Sequence, residues 1–179
     1  MQVKIQKLKT KDKNIKRGFS LVETLVAITI LLTAIAAPMT IAQKGLSSAQ
    51  LVKNQITASF LAQEALEFIK NIRDTNIISG LDWETGLGEC LVSGDSCVVD
   101  IPNETLERCN GSCPFLKYDS DSGFYGQDAF WTNSIFTRSV EITTLSETEI
   151  TVKSTVSWLE HGKPKDITLS INLLDWSEN

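Results

Sequence analysis

Between Phe19 and Ala42 the chain runs for 24 residues with a single ionisable side chain, Glu23. As a helix this run spans roughly 36 Å at ~1.5 Å per residue. That is enough to cross a hydrocarbon core of about 30 Å. No other stretch constrains the chain so strongly. Three readings fit the run itself. It could be a cleaved secretory signal, because Ala34-Ile35-Ala36 supplies a small-x-small cleavage pattern. It could be a plain single-pass anchor. Neither of these explains Glu23, since a carboxylate in an apolar helix is expensive unless something pairs it. The third reading gives Glu23 a purpose.

Charge is divided along the chain. Residues 1–18 hold seven basic residues, Lys4 to Arg17, and one acidic residue, Asp12, a net +6. The remainder carries −11. Basic flanks stay cytoplasmic by the positive-inside rule, which places the acidic body outside. A body of that charge has no general attraction for nucleic acid, so no nucleic-acid partner is expected.

The stretch "KRGFSLVETLVAITIL" resembles the N-terminal signal of type IV prepilins and pseudopilins. The resemblance covers Gly18, Phe19, Glu23 and the whole apolar run. It implies cleavage between Gly18 and Phe19 by a prepilin peptidase, which then methylates the new Phe19 amine. It also implies that the apolar helix is kept, inserted in the inner membrane with the C-terminal domain outside, and later packed into a cell-surface filament. The expected partners are the prepilin peptidase/methyltransferase, other pilin subunits, an inner-membrane assembly platform and membrane lipids. In such a filament the Glu23 carboxylate can meet a neighbour's Phe19 amine. Each charge left alone there would be costly, so the pair would set register. The simpler alternative is that Glu23 snorkels to the headgroups. Pro38 removes one backbone donor and is expected to kink or loosen the helix.

The spacing predicts that residues 43–76 continue the helix. Val52, Ile56, Phe60, Ala65, Ile69 and Ile72 recur near helical period, with Gln63, Glu64, Glu67, Lys70 and Arg73 between them. Such a stripe should pack on the protein's own sheet. Residues 77–132 lose periodicity and hold all four cysteines, so they read as a loop-rich region. From 133 to 179 alternation is clear. Phe136, Val140 and Ile142 are in phase, then Ile150, Val152, Val156 and Trp158, then Ile167, Leu169, Ile171 and Leu173. Three antiparallel strands follow, with a turn around Gly162 and Pro164 and a fourth strand possible in 90–101. The fold class is therefore α+β, a long N-terminal helix on a C-terminal antiparallel sheet of three to four strands. The family resemblance implies the same pilin-like architecture. Its segments are a leader 1–18, a membrane and filament-core helix 19–42, an amphipathic continuation 43–76, a variable region 77–132 and the sheet 133–179.

Cys90, Cys97, Cys109 and Cys113 are spaced C-x6-C and C-x3-C. Neither spacing is the usual zinc pattern, and an outside domain favours disulfides. Of three connectivities, pairing within each short interval is the simplest. Catalysis finds no residue set. The single histidine, His161, lies in a turn, and no phosphate-binding or metalloprotease motif is present. No cofactor and no metal are expected. "DSDSG" at 119–123 reads as a solvated acidic loop in preference to a calcium loop, and the sequons at Asn103 and Asn110 are assigned no role.

Together these readings point to a structural subunit, not an enzyme: a minor pilin of a type IV pilus. "LAQEALEFIKNIRD" and the C-terminal strands are similar to V-type minor pilins and to I-type pseudopilins. A pseudopilin of a type II secretion system is thus the nearest alternative. A membrane-anchored or secreted ligand-binding module is the alternative from another class.

Overall fold

The computed structural model describes residues 18–91 and 94–176. The basic cluster at 1–17 lies outside the described residues. Among the described residues, one helix, α1 (Leu21–Ile78), is followed by a short 3-10 turn (Gly88–Cys90) and seven strands. These are β1 (Cys97–Asp100), β2 (Thr105–Arg108), β3 (Phe115–Tyr118), β4 (Tyr125–Gly126), β5 (Thr132–Ser146), β6 (Glu149–Glu160) and β7 (Lys163–Leu174). The chain divides into two compact units, Met1–Ser47 and Ser48–Asn179.

In the second unit, the C-terminal part of α1 packs on one antiparallel sheet. β5 is its centre. Val140 on β5 faces Ser154 of β6 on one side and Cys97 of β1 on the other. Nearer the start of β5, Thr137 is flanked by Ser157 of β6 and Phe115 of β3. β2 extends the sheet from β1, β4 extends it from β3, and β7 extends it from β6. The β6–β7 hairpin closes through His161 and Gly162, at φ 50° and 75°. Two successive positive-φ residues fit the tight hairpin turn whose twist matches the strands. The strands therefore run closer to each other than a turn reaching Pro164 would allow. Pro164 instead sits inside β7, opposite Leu159. β7 is an outermost strand, the place where a residue without an N–H is tolerated.

The alternation in β5 and β6 puts Phe136, Val140, Ile142, Ile150, Val152, Val156 and Trp158 in the core under the helix. On β7 only Leu173 is fully buried; Ile167, Leu169 and Ile171 are half-buried, because the strand lies at the margin of the helix's footprint. The core forms two clusters. Ala58, Leu61 and Ala62 meet Leu116, Phe136, Val156 and Trp158. Further along, Ala65, Leu66 and Ile69 meet Trp83, Leu87, Val99 and Val152 among others.

Two expectations need correction. The helix does not bury its predicted stripe throughout. Val52, Ile56 and Phe60 are exposed at 48%, 52% and 65%. Ala65 and Ile69 of that stripe are buried and Ile72 is half-buried, but ahead of them the buried line runs through Asn54, Ala58, Leu61 and Ala62. Small Ala58 and Ala62 bring the helix backbone close to the bulky Phe136 and Trp158, and this large-against-small fit fills space at native density. Hydrophobicity alone favours the larger Val52, Ile56 and Phe60 over the small alanines. The second correction concerns strand number. The sheet has seven strands; β1 falls in the 90–101 stretch where the sequence allows a fourth strand, while β2, β3 and β4 come from the region expected to be loops. β1 is buried at all four positions, so it shows no alternation to read. β2, β3 and β4 span four residues or fewer, too short for a period to register.

Candidate functional site

The first unit carries the chemistry of the N-terminal segment. Gly18, Phe19, Glu23 and Pro38 are all exposed. Phe19 is 80% exposed, and so is Leu21. The most apolar 18-residue window of α1 has none of its residues buried within the protein, and the helix is long and apolar enough to cross a membrane. An apolar surface with no internal partner requires lipid or another helix around it.

Polar groups on this surface are satisfied locally. The hydroxyls of Thr24, Thr29 and Thr40 donate to the carbonyls of Leu21, Val26 and Ala37 at 2.8 Å. Thr33 donates to Thr29 and Ile30 at 3.0 and 2.9 Å. Such back-bonds hide hydroxyls from an apolar surround. Ser20 stands just before the helix, and its Oγ accepts the Glu23 N–H at 3.2 Å. This is half of a capping box, with Ser20 as the cap and Glu23 three residues on. Sequence reasoning missed Ser20, although S-x-x-E ahead of an apolar run is its signature. Glu23 thus stands in the first turn, where its charge also meets the positive end of the helix dipole. Helix geometry continues through Pro38 without interruption. Its ring leaves the carbonyl one turn earlier, that of Ala34, without its usual donor.

In the second unit the most unusual side chain is Arg138 on β5, wholly buried. Its Nη1 donates to the Leu61 carbonyl at 3.1 Å and to Glu64 Oε2 at 2.9 Å, and its Nη2 donates to the Val99 carbonyl at 2.6 Å. Burial pushes its pKa below the ordinary arginine value, while Glu64 and Asp100 oppose that shift. Arg138 therefore ties α1 to β1 from the central strand. Asn54 Nδ2 donates to Glu160 Oε2 at 2.8 Å and secures α1 against the end of β6. Asn76 Nδ2 donates to the carbonyls of Trp83 and Thr85 and holds the loop that leaves the helix.

Cys90 is bonded to Cys97, both in the core, and Cys109 is bonded to Cys113. The acidic loop satisfies itself. Asp119 accepts from the Ser122 hydroxyl at 2.6 Å and from the Asp121 and Ser122 amides, and these bonds, the hydroxyl first, hold its carboxyl below the ordinary range. His161 lies in the hairpin turn with Glu160 at 3.5 Å and is otherwise open to solvent. Among the described residues, no group of three or more His, Cys, Asp or Glu could hold a metal ion.

An exposed apolar helix leading into an α-helix packed on an antiparallel sheet defines a pilin-like α+β protein. Residues 13–37 match the family described as the prokaryotic N-terminal methylation motif. That match supports membership of the type IV prepilin and pseudopilin family, without separating pilin from pseudopilin. No curated protein and no solved structure matches the chain. The motif points to a membrane-anchored structural subunit, and its family suggests contact with a prepilin peptidase and other pilin subunits.

Proposed function

We propose that the chain is a minor pilin of a type IV pilus. The peptidase cuts between Gly18 and Phe19 and methylates the Phe19 amine. The segment 19–42 anchors the chain in the inner membrane, with the disulfide-bonded unit outside, and then enters the core of a filament on the assembly platform. The observation that carries this reading is the coincidence of the methylation-motif match at 13–37 with a helix surface that buries none of its own apolar residues. Such a surface demands an external apolar partner, which membrane and filament supply in turn. Within this scheme Glu23 pairs with the Phe19 amine of a neighbouring subunit, and Pro38 marks where the helix loosens on packing.

The exposed line of Val52, Ile56 and Phe60 supports the same reading. It offers apolar contacts that the protein's own core leaves uncovered.

The test is intact-mass analysis and N-terminal sequencing of protein from native membranes. A methylated Phe19 start is expected. A start at Ala37, or an uncut Met1, overturns the pathway. Recovery of the processed protein in sheared filaments favours the pilus. Its restriction to the cell envelope, with loss of protein secretion on deletion, favours the pseudopilin instead.

A further inference from the structure

The Cys109–Cys113 ring contains a bond with a reactivity of its own. Asn110 and Gly111 are adjacent and exposed inside it. The Asn110 amide has no hydrogen-bond partner among the described residues. Gly111 sits at φ 87° with open space where a Cβ would stand. We infer that Asn110 is a site of spontaneous deamidation, a modification that does not depend on the pilus reading.

The chemistry is an intramolecular acyl transfer. The Gly111 backbone nitrogen attacks Asn110 Cγ and forms a new C–N bond. The bond from Cγ to the side-chain nitrogen breaks, and ammonia leaves with the proton from the Gly111 amide. Water then opens the five-membered imide at either carbonyl, giving aspartate or isoaspartate at position 110. Attack is intramolecular, so it depends on how closely the nitrogen can approach Cγ. A glycine leaves that approach unhindered and its backbone is free to turn into it.

Other asparagines lack one condition or another. Asn103 donates to Asp100 and precedes a glutamate; Asn76 donates to two carbonyls and precedes an isoleucine. Asn172 donates to Glu149 within β7, Asn133 is held in β5, and Asn54 and Asn71 lie in α1. Among the described residues, only Asn110 joins an exposed loop, a free amide and a following glycine. The product places a new negative charge two residues from Arg108, which is ion-paired with Asp95. The isoaspartate form also lengthens the main chain inside the disulfide ring.

Full-length protein in detergent, its disulfides intact, is aged at neutral and at mildly alkaline pH. It is then reduced and cut with trypsin, which releases residues 109–117 as one peptide. The expected result is a time-dependent gain of the amide-to-acid mass difference in that peptide. It should split into two chromatographic species, and be faster at the higher pH because the attacking nitrogen must lose its proton. N110Q aged in parallel keeps its starting mass, because its longer side chain must close a less favourable ring. If the wild-type peptide holds its mass as long as the peptide carrying Asn133 does, the inference is overturned. It is overturned equally if conversion occurs only in protein reduced before ageing, because the intact ring would then protect the bond.

Discussion

Arg138 Nη1 and Glu64 Oε2 are 2.9 Å apart, joining a wholly buried cation on the central strand to the helix above it. The same guanidinium reaches the carbonyls of Leu61 and Val99. Helix, β5 and β1 therefore meet at one residue. A buried charge is tolerated when it is paired and hydrogen-bonded, and removing one partner leaves the other uncompensated.

Replacing Arg138 by alanine should destabilise the folded unit by about 3–5 kcal/mol, because a carboxylate and two carbonyls lose their donor and a cavity opens. Arg138→Met should cost less, since it fills space and adds no unpaired charge. Urea denaturation of the two variants measures the difference. Equal losses would mean that the filled volume contributes little beyond the lost hydrogen bonds.

The two lines of α1 should separate in mutagenesis. Ile69→Ala is expected to cost about 2–5 kcal/mol, as for other fully buried aliphatic side chains. Phe60→Ala should stay within about 0.5 kcal/mol, because most of that ring already faces solvent. If Phe60 serves a neighbouring subunit, Phe60→Asp lowers filament incorporation while thermal stability is kept. Filament recovery and melting curves, read side by side, check both halves.

Acid should weaken the tie between α1 and the β6 end. The Asn54 amide, first of all, and then the Trp158 indole hold the Glu160 carboxyl below its ordinary range. A depressed pKa means that the stabilisation is present above the unfolded value and is lost as pH falls through the folded one. The stability gap between wild type and Glu160→Gln should therefore narrow on the acid side of the carboxylate range and be constant at neutral pH. A gap unchanged on acidification would contradict this assignment.

Removing the Cys90–Cys97 bond should cost more than removing Cys109–Cys113. Loop-closure entropy gives about 2–3 kcal/mol for either short ring. Cys90 and Cys97 also fill core space and anchor β1, which pairs β5 at a single position. Paired Cys→Ala variants in thermal melts compare the two.

Glu23→Val should leave processing intact and reduce incorporation into filaments. Ser20→Ala removes only the cap and should weaken the first turn by ~1 kcal/mol. If both variants assemble normally, Glu23 serves the helix start alone and the pairing with a neighbour's amine fails.

Much of this protein was legible as a line of residues. The apolar run beyond Phe19, with its lone Glu23, needs only length and hydropathy to be read, because a membrane acts on the helix surface as a whole. The three long strands were equally clear, since Val152 and Val156 on β6 alternate against a polar outer face. What only the tertiary structure decided was which side of α1 is inside ahead of Ala65 and Ile69. Ala58 and Ala62 were chosen over Val52 and Phe60 by the shape of Phe136 and Trp158 beneath them, and shape complementarity between segments far apart in sequence leaves no local periodic mark. The buried Arg138 belongs to the same kind. Its place among core residues is offset by Glu64 and two carbonyls drawn from separate elements, a set of partners that exists only once the chain has folded.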